Sequence, residues 1–383
     1  MKMPIFLDYQ STTPVIPQVF EKMSPFFKDV YGNPHSNFHQ YGTDASDAVE
    51  SSRLKLGESI GAHPEEIIFC SGATEANNFA IMRLHKIIPK CRSVITLVTE
   101  HKCVLESCNN LDQSISTNKL TVNSDGLLDL NLLEDTLKKN GPSLVSIMFV
   151  NNETGVIQNI EKISDIVHSH DSLLHTDGAQ AIGKLNIDVR DLQIDAMSIS
   201  GHKFYGPKGI GAIYINRDIK NEVEPLIHGG GQEFKLRSGT VPTPLVVGMA
   251  EASNLINQDL VVNHKKVDEL KSKFLEVLKS NVQNLTINGC QTNRVVHNLN
   301  IRIQNVEAEQ LIINTPGVAF SSGSACSSGE IQSSHVLRGM GHTDLEARES
   351  FRVSFSHLQT NEEIENAAEQ IGESANKIIL QQK

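Results

Sequence analysis

Short runs of β-branched and other apolar residues recur along the chain, each closed by turn residues and followed by a stretch of helical spacing. EIIFCSG, SVITLVTEH, LVSIMFVNNETG, LLHTDGAQ, DAMSISGHK and GIGAIYI read as strands. TEANNFAIMRLHKII, LNLLEDTLKK, EKISDIVHSH, PLVVGMAEASNLI and the lysine-rich stretch 263–280 carry the apolar periodicity of helices. Alternation of the two kinds predicts an α/β fold with a mainly parallel sheet. Further on, NLNIRI and FRVSFS look like strands of a second, smaller α+β unit, so a boundary is expected near residues 258 to 264. No internal repeat or low-complexity linker interrupts this order.

Composition narrows the class without naming the chemistry. The chain has 383 residues, 39% hydrophobic and 21% charged, as in soluble globular proteins with more than one domain. A formal charge of -11 argues against unaided binding to nucleic-acid phosphates. No run of about 18 apolar residues is present to span a bilayer, and MKMPIFLDYQ lacks the regions of a secretory signal. The expected place is the cytosol, or an organelle matrix after removal of a transit peptide.

Six cysteines, Cys70, Cys91, Cys103, Cys108, Cys290 and Cys326, form no C-x-x-C pair and no His/Cys grouping at ligand spacing. Structural zinc and a disulfide framework are both disfavoured. Most of these thiols read as small core hydrophobes, Cys70 at the end of an apolar run being the clearest. Cys326 differs, because SSGSACSSG surrounds it with glycine and serine.

The predicted strands end in an unusual set of polar residues: Ser71-Gly72-Ala73-Thr74, Glu100-His101, Asn151-Asn152-Glu153, Asp177-Gly178-Ala179-Gln180 and Ser200-Gly201-His202-Lys203. Ligands of open α/β sheets bind beyond the carboxyl ends of strands, so five such ends would build one site. Lys203, after an apolar strand and among small residues, suits a Schiff base as well as an ordinary loop. Asp177 is the kind of carboxylate that pairs with a protonated pyridine nitrogen, and an Asp/Lys combination marks pyridoxal phosphate sites. The turn before TEANN offers free amides and the Thr74 hydroxyl to a phosphate, although an ordinary helix cap explains Thr74 alone. His101 is suited to stacking on a flat cofactor or to moving protons near neutral pH.

Taken with LDYQSTTP, GNPHS, SGATEANN, TEHKCVL, VNNETGVIQ, DGAQAIGK, SGHKFYGPKGIGA, GGGQE, RSGT, SSGSAC and FRVSFS, these motifs resemble cysteine desulfurases of the fold-type I, class V aminotransferase family. The resemblance runs over essentially the whole length and is nearest to the type that serves iron-sulfur cluster assembly. It implies a large pyridoxal phosphate domain over 15–260 and a small domain made of 1–14 and 261–383, carrying the Cys326 loop. It implies that Lys203 tethers the cofactor, Asp177 partners the pyridine nitrogen, Gln180 and Asn152 contact the ring-oxygen side, and His101 covers the ring. Ala73, Thr74, Ser200 and His202 would hold the phosphate, with Thr240 contributed by the second subunit of a homodimer. Arg352, with Asn152, would take the substrate carboxylate.

The reaction so implied removes sulfur from L-cysteine, gives L-alanine and leaves a persulfide on Cys326, with His101 exchanging protons at the substrate thiol. Acceptor proteins would then take the sulfur for iron-sulfur cluster assembly and other transfers such as tRNA thiolation. The long glycine- and serine-rich acceptor loop resembles the group whose thiol travels between cofactor and partner. In that group the acceptor cysteine also helps hold a [2Fe-2S] cluster shared with the scaffold protein, which makes Cys326 a candidate metal ligand.

Some positions depart from the family pattern. SFSHLQT places His357 where an arginine is usual, and the sequence stops at ANKIILQQK, short of the extension that relatives use in docking a scaffold. Selenocysteine lyase, cysteine sulfinate desulfinase and kynureninase share the lysine and phosphate apparatus but need no enzyme thiol as sulfur acceptor. A hydrolase or acyl-transferase using Cys326 or Ser324 is a different reading, for which no G-x-S-x-G elbow is present.

Overall fold

The computed structural model describes residues 3–36, 38–322 and 333–382. In chain order its strands are β1 (Ile5–Phe6), β2 (Ile67–Cys70), β3 (Ser93–Leu97), β4 (Ser116–Leu120), β5 (Leu144–Ser146), β6 (Leu173–Asp177), β7 (Ala196–Ser200), β8 (Gly211–Ile215), β9 (Leu285–Ile287), β10 (Asn298–Ile303), β11 (Val318–Ala319), β12 (Ser321–Ser322) and β13 (Ser350–Ser354).

Seven of them make the central sheet in the order β2-β8-β7-β6-β5-β3-β4. Pairing is parallel from β4 through β7, while β8 runs antiparallel to both β7 and β2. Two reversals cancel, so β2 points the same way as β7. The carboxyl ends of β2, β3, β5, β6 and β7 therefore share one edge.

Every residue of β2, β3, β5, β7 and β8 is buried, which is why these strands read as unbroken apolar runs rather than alternating ones. The period of two survives in what each side chain packs against. Ile67, Phe69, Ile95, Val145, Met197 and Tyr214 enter one apolar cluster; Ile68, Cys70, Val94, Leu144, Ala196 and Ile213 enter another. Helices Gln40–Glu58, Ile160–His168 and Thr243–Gln258 contribute to the first cluster, and Ala73–Leu84 and Lys102–Asn109 to the second.

A second sheet, in the order β12-β13-β10-β9, is antiparallel throughout. Helices Leu260–Asn281 and Asn361–Gln381 pack with it into a third cluster, which also takes in Leu7 from the start of the chain. Asp259 ends the helix Thr243–Gln258 and begins Leu260–Asn281. The N-terminal strand β1 pairs in parallel with β11 as a separate two-stranded sheet, and Asp8, just after it, bridges to Ser354 of the small sheet. Residues 8 to 13 then run from the small sheet toward the edge where the central strands end.

Candidate active site

At that edge lies a cavity of about 540 Å³, within the range of small-molecule sites. All five strand ends contribute to its lining, among them Thr74, His101, Asn152, Asp177 and Lys203.

One end of the cavity is built for an anion. Helix Ala73–Leu84 begins there with no side-chain cap on its first turn, so its leading amides remain open. Gly72 precedes it at φ +151, a conformation strained for any side chain, and a Cβ there would meet only Ser200 Oγ, at 3.8 Å. Ala73, Thr74, Ser200 and His202 all line this part of the cavity. His202 Nδ1 lies 3.1 Å from Thr12 Oγ1, and burial first, then Lys203, Lys208 and Lys184, push the imidazole down to about 4.

Deeper in, Asp177 ends β6 with its carboxylate fixed at both oxygens. Asn77 Nδ2 donates to Oδ2 at 2.7 Å and the Ala179 amide donates to Oδ1 at 2.9 Å. Lys203 follows β7 and donates from Nζ to the carbonyls of Gln10 and Ser11 at 2.9 and 2.8 Å. His101 caps the helix Lys102–Asn109, its Nδ1 accepting from the Cys103 amide at 3.2 Å. Burial lowers its pKa against the pull of Asp177, and Lys203, His335 and Lys102 lower it further. The preceding residue, Glu100, is fully buried, its carboxyl accepts from the Met148 amide, and burial first, then Asp177, raise it well above the usual carboxylate range.

Arg352, from β13, enters the cavity from the small sheet. Its Nη1 donates to Asn152 O at 2.7 Å and its Nη2 to Asp8 Oδ1 at 2.6 Å. Asn152 Oδ1 is buried and finds no hydrogen-bond partner among the described residues. Gln180 donates to Gln10 O at 2.9 Å and accepts from Lys184 Nζ at 2.6 Å. Lys184 is buried, and that burial, with Lys203 and Arg352 nearby, pushes its amine down to about 7.

Of the sequence candidates, Ala73, Thr74, His101, Asn152, Asp177, Gln180, Ser200, His202, Lys203 and Arg352 meet in this one cavity. Thr240 is exposed and absent from the lining of its own chain's cavity. Cys326 lies outside the described residues. Sequence reasoning missed Asn77, Lys184 and Cys103. Asn77 was hidden inside a helical run, and a buried lysine four residues after Gln180 carries no pattern of its own. The general reading of thiols as core is corrected at Cys103, which is only half-buried and lines the cavity. As a donor set, the open helix start beside Gly72, the fixed Asp177 carboxylate and the Lys203 amine fit pyridoxal phosphate: a phosphate pocket, an acceptor for a ring N–H and a primary amine in one cavity.

Comparison with known proteins agrees with this geometry. The class-V aminotransferase family model matches residues 5–367. The cysteine desulfurase IscS of Rickettsia bellii is 43% identical over 378 residues, covering 98% of this chain and 92% of that protein. The cysteine desulfurase of Mus musculus is 44% identical over 368 residues, 96% of this chain and 80% of the relative. Among solved structures, a NifS-like protein superposes with a TM-score of 0.90 at 33% identity over the full length of both chains. SspA in complex with cysteine gives 0.82 at 36% identity, covering 93% of this chain and 99% of that one. With a family model spanning nearly its whole length and relatives above 40% identity, the chain belongs to the class-V aminotransferase family and, within it, to the cysteine desulfurases.

Proposed function

We infer that this protein is a pyridoxal phosphate-dependent cysteine desulfurase that converts L-cysteine to L-alanine and passes the sulfur to its own Cys326. The observation that carries the reading is the convergence of Lys203, Asp177, His101 and Arg352 on one cavity with an open helix start at its end. The bound cofactor supplies an electron sink conjugated with the substrate α-carbon. Everything else falls to the chain's own groups. Asp177, held by Asn77 and the Ala179 amide, accepts from the protonated ring nitrogen. Arg352 binds the substrate carboxylate, its guanidinium already oriented by Asp8 and the Asn152 carbonyl. Lys203 Nζ removes the α-proton, and His101 exchanges a proton with the substrate thiol at Nε2, its Nδ1 being engaged with the helix end.

The Cys326 thiolate attacks the substrate sulfur. An S–S bond forms, the C–S bond breaks with its electron pair going to the substrate β-carbon, and alanine is complete once the β-carbon takes a proton and the α-carbon regains the one held by Lys203. The outer sulfur of the persulfide passes to a thiolate of an iron-sulfur scaffold or another sulfur-accepting protein, with the Cys326 thiolate as leaving group. Two chains pair in this reading, and Thr240 of one completes the phosphate pocket of the other. Thr240 is exposed, and Phe20, Phe27, Tyr31, Phe38 and Tyr41 are each more than half exposed over one short stretch, a surface suited to covering.

Purified yellow protein incubated with L-cysteine is the test. Alanine and a persulfide on Cys326 are expected in equal amounts without reductant. Lys203→Ala should lose the visible absorbance, and Cys326→Ser should keep it while losing persulfide. Full alanine formation by Cys326→Ser would move the reading to a lyase of the same fold.

A further inference from the structure

Two residues after His101 stands Cys103, a thiol in the cavity wall that the reaction derived above does not use. It sits in the middle of a hydrogen-bonded row. Asn77 Nδ2 reaches Asp177 Oδ2 at 2.7 Å and Cys103 Sγ at 3.1 Å, and Sγ in turn lies 3.0 Å from His101 Nδ1. The direction of each donation follows from the groups themselves. A carboxylate accepts, so Asn77 must turn its NH2 toward Asp177, and the same NH2 faces the sulfur. The amide holds this orientation although its Oδ1 is buried and finds no hydrogen-bond partner among the described residues.

Since sulfur receives from Asn77, its own hydrogen is left for His101 Nδ1. That hydrogen is firmly held: burial, then Asp177, push the thiol up to about 12, with Asn77 and Thr74 pulling the other way. Nδ1 also accepts from the Cys103 backbone amide at 3.2 Å. Two donors from one residue thus converge on one ring nitrogen. A bare Nδ1 requires the neutral ring to carry its proton on Nε2.

We propose that Cys103 is a positioning residue: its thiol donates to His101 Nδ1 and ties that ring, through Asn77, to Asp177, keeping the imidazole N–H on Nε2 for the substrate. The inference rests on the reading of His101 as the group that exchanges protons with the substrate thiol. The charged and titratable groups facing the ring are Asp177 at the end of β6, Lys203 after β7, His335 in the helix His335–Gly339 and Lys102 in its own turn. All of them stay in place when the thiol is removed. Loss of a donor at Nδ1 makes that nitrogen easier to protonate, and a hydroxyl at the same position restores a donor.

The test is nitrogen-15 NMR of the histidine side chains in the holoenzyme, with His101 assigned by the signal lost in His101→Gln. Wild type should show an unprotonated, hydrogen-bonded Nδ1 and a protonated Nε2. Cys103→Ala should raise the His101 pKa by about one unit and carry the acidic limb of the kcat/KM profile for alanine formation with it. Cys103→Ser should stay within a few tenths of wild type. A protonated Nδ1 in wild type, an unmoved pKa in Cys103→Ala, or a serine variant that behaves like the alanine one overturns the proposal. The wild-type spectrum decides even if the alanine variant fails to fold. Absence of alanine from wild type would remove the functional reading while leaving the ring's protonation to be read independently.

Discussion

Glu153 shows how one carboxyl next to the site sets a pH dependence. It is buried, Ser334 donates to its Oε2, and burial raises its pKa from 4.5 to about 7 against that bond and the nearby Arg352. Because the folded value lies above the unfolded one, the stability it lends is complete below about 4.5 and is lost as pH rises through about 7. Glu153→Gln keeps an acceptor for Ser334 and cannot ionise. Relative to wild type, the variant is expected to gain about 2–3 kcal/mol between pH 5 and pH 8, read by urea unfolding of the holoenzyme. A difference that stays flat across that range would show that the carboxyl ionises freely in the folded state.

Residues with ordinary motif signals were legible, and those acting through neighbours were not. Lys203 and Asp177 stand at strand ends, where a polar residue after an apolar run is conspicuous. Asn77, by contrast, is one polar residue in a helix, and only the fold shows that it points at Asp177 across a hundred positions of sequence. Cys103 looked like another small apolar filler because a thiol's neighbours, not its type, decide its use.

At the scale of elements, the inner strands were legible because burial on both faces leaves nothing but apolar residues in them. The edge strand β4, STNKL, has a single buried residue and so gave no strand signal. Helix Gln40–Glu58 escaped notice for a related reason. Its inward face is Gly42, Ala45, Val49, Ser52, Arg53 and Leu56, mostly small or polar, so no apolar stripe marks it.

Arg53 on that face is an anchor rather than an anomaly. Its guanidinium donates to Glu233 Oε1 and Oε2 at 2.8 and 2.7 Å and to the Ile67 carbonyl at the start of β2, while the Phe69 amide also donates to Glu233. The pair ties one helix, one strand and the turn Glu233–Lys235, whose three residues all take positive φ. Removing Glu233 leaves the buried Arg53 with only the more exposed Glu50 carboxylate and the Ile67 carbonyl as partners. Glu233→Ala is therefore expected to lose about 3–5 kcal/mol in chemical unfolding, whereas Arg53→Met combined with Glu233→Leu should lose less than the single change. Losses that simply add would argue that the pair acts as two independent contacts.

For the whole molecule, the proposed pairing of two chains makes a prediction that no single-chain defect can imitate. Lys203→Ala and Thr240→Ala variants are each expected to be impaired when pure. Co-expressed with different tags and isolated as mixed dimers, they should recover one working site, because one pocket then has both its own lysine and an unaltered threonine from across the interface. Mixed dimers no more active than the purified Thr240→Ala protein would place Thr240 outside the partner's pocket.

The stretch 8–13 joins the first residues of the chain to the last part of its sheet. Gln10 and Ser11 give their carbonyls to Lys203, the Gln10 amide donates to Ser354 Oγ, Asn298 donates to the Gln10 side chain, and Asp8 holds Arg352. A ribosome releases these two ends far apart in time. While residues near 350 are still inside the exit tunnel, the nascent chain has its lysine and its anion pocket but no strand against which to set the segment that positions the amine. Vitamin capture is thereby deferred until the residues of β13 have emerged, and fragments that end before them should be colourless.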